Sequence, residues 1–216
     1  MSIATLVLGL VVLSAALALW FLAWFCARGP SLTKTVVKTA SVAGLAMAAW
    51  LALAPLWLVA AISLAALGDF CLSREGEGAF LAGLSAFALA HLAYVALILV
   101  IDVPLSLNAL SVGVVVFCAV MAFVIVPRGG SLRWPVLAYI AVIGTMGTLA
   151  LSLPASFATA MVAALLFMFS DMILGLERFV WRAANPLRRA APYAIWSTYW
   201  VAQLLFLVAF AFERSL

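Results

Sequence analysis

Long apolar stretches follow one another along this chain, separated by short breaks that hold most of its charged residues. A helix needs about 20 predominantly apolar residues to cross a ~30 Å hydrocarbon core. Runs of that order lie at 3–26, 35–53, 55–72, 79–100, 107–126, 135–153, 157–180 and 193–212. The pattern predicts eight spans. The second and third meet at LALAPLW, where Pro55 suits the first turn of a new helix. A single helix through both would far exceed one crossing. LSLPAS at 151–156 predicts a tight turn between the sixth and seventh. The first run is too long for a secretory h-region and has no basic residue before it, so it reads as a permanent span. The expected fold is all-α, a single eight-helix transmembrane bundle over residues 1–216.

Composition narrows the class further. The chain is 69% hydrophobic with a mean hydropathy of +1.33, against roughly 45–50% apolar residues in soluble domains. With eight spans the breaks alternate between two faces. One face receives Arg28, Lys34, Lys38, Arg74, Arg128, Arg133, Arg178, Arg182, Arg188 and Arg189, and the other only Arg214. That bias predicts a cytoplasmic first face, with both termini outside. The net charge of +4 then describes a basic rim facing anionic headgroups. It does not indicate nucleic acid, because Arg182, Arg188 and Arg189 share a short loop with no aromatic stacking surface. Cys26, Cys71 and Cys118 are odd in number and lack CxxC spacing, which predicts neither a disulfide framework nor a thiolate metal site.

Against this background the polar residues inside the spans stand out. An acid at bilayer depth costs about 2.5–3.5 kcal/mol on the mildest scale, yet Asp69 and Asp171 both fall within apolar runs. Asp69 lies near the cytoplasmic end of the third span, and Asp171 lies about 14 Å inside the same end of the seventh. Lys34 and Lys38, four apart, share a face of the second span, as do Tyr199 and Gln203 in the eighth. His91 and Tyr94 share a face of the fourth, and Tyr139 opens the sixth. Polar groups from six spans thus converge on one half of the membrane, which predicts a pocket. Taken singly, each has a plainer role. Asp69 can pair with Lys38 or Arg74, the lysines can snorkel, and Gln203 can bond a neighbouring helix. Asp102 and Glu213 read as solvated at the outer face, and Gly144 and Gly147 as close helix packing.

The order of these motifs carries further information. GDF (68–70), GAFLAGLSAFALAHLAY (78–94), WPVLAYIAVIGTM (134–146), LLFMFSDMILGLERF (165–179) and STYWVAQLLF (197–206) together resemble the YhhN/TMEM86 family. Its members are eight-span integral membrane proteins, and those characterised are lysoplasmalogenases. The most specific matches are Gly68-Asp69, His91 with Tyr94, Ser170-Asp171, and Tyr199 with Gln203. The family's early Lys-Pro is here Lys38-Thr39. The resemblance implies hydrolysis of the vinyl-ether bond of a lysoplasmalogen, giving a fatty aldehyde and glycerophospho-ethanolamine or -choline. It implies Asp69 and Asp171 as catalytic residues. Lys34, Lys38, His91, Tyr94, Tyr139, Ser170, Tyr199 and Gln203 would contact the lysophospholipid.

Two carboxyls suit that reaction on chemical grounds. A vinyl ether cleaves by protonation of its alkene carbon, and water then captures the oxocarbenium ion. One protonated acid and one carboxylate are required. Burial favours the acid form and a nearby cation the carboxylate, so Asp171 is the expected general acid and Asp69, closer to Lys38, the base; the reverse assignment is equally open to the sequence. No cofactor or metal is expected. One histidine makes no tetrahedral zinc site, and Mg²⁺ on the two aspartates would lack a third acid, since Glu177 lies two turns away. A proton-coupled transporter or a lipid-binding membrane protein would use the same buried polar pocket, but no inverted repeat is evident. The compact chain suggests a bacterial inner membrane, with the site toward the cytoplasmic half. Its small-residue faces serve internal and external packing alike and leave the oligomeric state open.

Overall fold

A computed structural model of the protein describes residues 2–212; Glu213 and Arg214 lie outside the described residues. Among those described there are eight α-helices. They are α1 (Ile3–Trp20), α2 (Leu32–Leu51), α3 (Leu56–Leu72), α4 (Glu77–Val100), α5 (Ala109–Ile125), α6 (Arg133–Leu151), α7 (Ala158–Phe179) and α8 (Ala191–Leu207). Each falls on one of the apolar runs, and caps explain where the ends differ. The Ser31 hydroxyl accepts the Lys34 N–H at 3.1 Å, so α2 begins at Leu32 rather than 35. Asn108 and Ser111 cap each other reciprocally and start α5 at Ala109. Leu53 adopts a left-handed φ of 54°, and Pro55 caps α3, so LALAPLW does separate two helices. Wider π-helical turns prolong α1 over Phe21–Phe25 and α8 over Val208–Phe212.

Counted with their flanking turns, 6 helices among the described residues are long and apolar enough to cross a membrane: those built on α1, α4, α5, α6, α7 and α8. The third helix is apolar but only 17 residues long. The second carries Lys34, Lys38, three threonines and Ser41 in its first half and is not among the six.

Helices α3, α4, α6, α7 and α8 form a closed ring, each packed on the next. Helices α1 and α2 lie outside it against α3 and α8, while α5 lies outside against α6 with most of its surface uncovered. Close approach within the ring needs missing side chains. A Cβ on Gly68 would stand 2.6 Å from the Phe87 ring, and one on Gly83 2.6 Å from Leu72, so α3 and α4 meet through these two glycines. Gly147 similarly makes room for the Met168 sulfur of α7, and Gly144 for Cys118 of α5. The helix-packing role expected of Gly144 and Gly147 is therefore what the fold contains.

Candidate active site

Two polar clusters lie among the helices, one around each aspartate. In the first, the Lys38 ammonium on α2 donates to Asp69 Oδ1 on α3 at 3.0 Å. The Tyr199 hydroxyl on α8 donates to Asp69 Oδ2 at 2.8 Å. Both carboxylate oxygens thus have a donor, one of them cationic. One turn further on, Ser73 donates to the Asp69 backbone carbonyl at 2.7 Å. The Lys38 ammonium also lies 5.8 Å from the centre of the Trp196 ring, whose indole N–H is fixed to Ala18 of α1 at 3.0 Å.

In the second cluster, the Tyr139 hydroxyl on α6 donates to Asp171 Oδ2 on α7 at 2.5 Å. His91 Nε2 on α4 lies 3.0 Å from the Tyr139 oxygen and 3.4 Å from the same Asp171 oxygen. Since the tyrosine proton goes to Asp171 Oδ2, the Tyr139 oxygen is left to accept from Nε2–H. That leaves His91 Nδ1 as a fully buried acceptor with no partner among the described residues. The Phe167 ring divides the clusters, 4.5 Å from His91 and 5.3 Å from Tyr199 between ring centres.

The two aspartates line one cavity of about 440 Å³, which also exposes Lys34, Lys38, Ser170 and Tyr199. Arg74, Glu75, Glu177 and Arg178 complete its wall, so the opening carries both signs of charge. It shares a wall with a separate apolar slot of about 70 Å³, where Tyr139 and Asp171 are the polar members and Phe117, Cys118 and Met168 among the apolar ones. Asp171, Phe87 and Leu174 border both spaces. The Asp171 carboxyl therefore stands where a polar chamber meets a hydrocarbon one.

Depth along a helix and burial come apart here. The sequence puts Asp171 deeper, but its side chain is 14% exposed to the cavity and that of Asp69 only 1%. The other residues singled out in the sequence divide into three groups. Lys38, Tyr139 and Tyr199 touch the aspartates directly, and His91 reaches Asp171 beside Tyr139. Lys34 and Ser170 line the cavity with their polar atoms already engaged, by Arg28 O at 2.5 Å and Ile195 O at 3.0 Å. Tyr94 and Gln203 are fully buried, bonded to each other at 2.6 Å across α4 and α8, and border neither space.

Phe87, Phe167 and Trp196 escaped the sequence reading. Spacing held a signal for two of them: Phe87 precedes His91 by one helical turn, and Trp196 precedes Tyr199 by three residues. The apolar face carrying Phe167 gives no such sign.

The chain is 33% identical to proteins named lysoplasmalogenase from Mycobacterium bovis and Mycobacterium tuberculosis, over 74% of its own length. It spans 62% of the length of those relatives. It is also 32% identical to rat lysoplasmalogenase TMEM86B, over 88% of this chain and 78% of that one. No solved structure matches it. The YhhN profile matches residues 33–210. That stretch holds both aspartate clusters, and the chain belongs to the YhhN family.

Proposed function

We propose that this protein is an intramembrane lysoplasmalogenase, cleaving the vinyl-ether bond of a lysoplasmalogen to a fatty aldehyde and a glycerophospho-ethanolamine or -choline. One observation carries the reading: two aspartates from different helices line a single cavity with unlike partners. Asp69 is bound to a lysine and a tyrosine and acts as the carboxylate. Asp171, bound to Tyr139 and close to a histidine, borders the apolar slot and acts as the acid. The names borne by the mycobacterial and rat relatives support the same reaction.

The cycle closes without a proton from bulk water. Asp171 gives its proton to the alkene carbon, and the positive charge that develops on the ether carbon is stabilised by the two carboxylates. Water adds to that carbon and gives a proton to Asp69. In the collapse of the hemiacetal, Asp69 protonates the departing glycerol oxygen and Asp171 takes back the hemiacetal hydroxyl proton. One water is consumed, and both acids return to their starting states. Lys34 and Arg74 at the cavity wall supply positive charge for the phosphate.

In the same reading the eight helices span the bilayer with both termini outside and the site in the cytoplasmic half. Four arginines stack on aromatic rings: Arg28 on Trp24 at 4.0 Å, Arg74 on Phe70 at 4.8 Å, Arg133 on Trp134 at 5.1 Å and Arg178 on Phe80 at 5.1 Å. All four belong to the basic face, and cation and ring together suit a headgroup boundary.

The test is aldehyde release from a defined lysoplasmalogen by purified protein in detergent, with and without chelator. Asp69→Asn and Asp171→Asn should each cost about 10²–10⁴-fold in rate while circular dichroism stays unchanged. A fully active variant at either position sinks the two-acid mechanism. A folded wild-type protein that releases no aldehyde overturns the activity itself.

A further inference from the structure

A third space lies beyond the slot. On the outer surface, α5 and α7 border a groove of about 650 Å³, which runs from Ala109 and Leu110 to Met172. Its wall is aliphatic and aromatic throughout, with no charged residue. Phe117, Met168 and Met172 border both the groove and the slot. The slot in turn shares Asp171 with the polar cavity. The three spaces thus share walls in series from a charged opening, past Asp171, to the exposed apolar surface of the bundle.

We propose that the α5–α7 groove is the berth of the substrate's single hydrocarbon tail and its lateral route to and from the bilayer, a proposal that rests on the lipid-hydrolase reading above. Three observations support this occupant. First, the dimensions fit one chain. From Val162 to Met172 is ten residues of α7, about 15 Å at 1.5 Å each, the depth of one leaflet of a ~30 Å core. Second, the polarity is graded correctly, since a vinyl ether sits between a polar glycerophosphate and an alkyl chain, and Asp171 sits at that same boundary. Third, the residues common to slot and groove are one phenylalanine and two methionines. Unbranched thioether side chains re-pack easily around a moving chain.

Gly113 offers a plug. It lines the groove on α5, and a Cβ built there meets nothing within 4 Å, so a large side chain enters the groove without disturbing the helix packing. Val115, exposed on the opposite face of α5, provides the control.

The experiment has two arms in purified full-length protein. In the first, kcat/KM is measured on a long-tailed and a short-tailed alkenyl lysolipid. Gly113→Trp should lower the long-to-short ratio by about tenfold or more, because the distal methylenes lose their burial, whereas Val115→Trp should leave that ratio at the wild-type value. An unchanged ratio in Gly113→Trp overturns the proposal. In the second, a non-hydrolysable alkyl lysolipid with a diazirine at the tail end is photolysed, and labelled peptides are read by mass spectrometry. Labels on the groove residues of α5 and α7, lost in Gly113→Trp, are expected. Labels elsewhere in the bundle overturn it. So does a wild-type dimer in detergent that Gly113→Trp dissociates, which would assign the groove to a second copy of the chain. Because labelling needs no turnover, groove labels without aldehyde release would refute the hydrolase reading and keep the tail site. Aldehyde release with labels elsewhere would do the reverse.

Discussion

The Lys38–Asp69 pair places a heavy demand on a single lysine. Asp69 is almost completely buried, and its two oxygens depend on one ammonium and one phenol. Removing the lysine alone leaves a buried carboxylate short of its charge partner, a loss of about 3–5 kcal/mol. Lys38→Met should therefore lower unfolding stability in detergent by that order, and Lys38→Met/Asp69→Asn should recover most of it without restoring aldehyde release. A Lys38→Met protein as stable as wild type would contradict the pairing. The sequence offered this contact as one of two, Lys38 or Arg74, because an acid in an apolar chain has few cations at matching depth, and the structure takes Lys38. The fate of Tyr94 and Gln203 was not. Helical spacing puts Tyr199 and Gln203 on one side of α8, but it does not say whether that side looks into a chamber or onto a neighbour. Tyr199 reaches the carboxylate, and Gln203, one turn along, locks α8 to α4.

At the scale of helices, the crossing of α3 and α4 links the fold to the chemistry. Gly68 precedes Asp69 in the sequence and gives the Phe87 ring its place, and that ring borders both the cavity and the slot. Gly68→Ala puts a methyl 2.6 Å from the ring. A small-to-large change of this kind in a packed core costs about 1–3 kcal/mol. The expected outcome is a lower melting temperature in detergent, partly recovered by Phe87→Leu in the same chain; recovery failing while other α4 substitutions succeed would place the clash elsewhere. The helices themselves were readable from hydropathy, since every apolar run became one. Their ends were set by side chains to which hydropathy is blind, such as Ser31 and the Asn108–Ser111 pair. Which helices would close the ring was not readable either, because it depends on where two surfaces are small enough to touch.

For the whole molecule, orientation is the property most open to direct measurement. In a cysteine-free background, Asp102→Cys between α4 and α5 and Ala183→Cys between α7 and α8 place thiols at exposed loop positions on opposite ends of the bundle. A membrane-impermeant maleimide applied to intact cells should label the first alone, and the second only after permeabilisation. The opposite pattern would invert the orientation. Basic residues made this inference possible from sequence, whereas the cavity that gives the orientation its significance required the assembled ring. That cavity and the apolar slot beside it share Asp171 in their common wall, the seam between the two. Under the proposed reaction, cleavage at the seam separates products as well as bonds. The glycerophosphoester is released toward water and the aldehyde into oil, so an electrophile that would otherwise modify amines in the cytosol is delivered straight to the membrane phase.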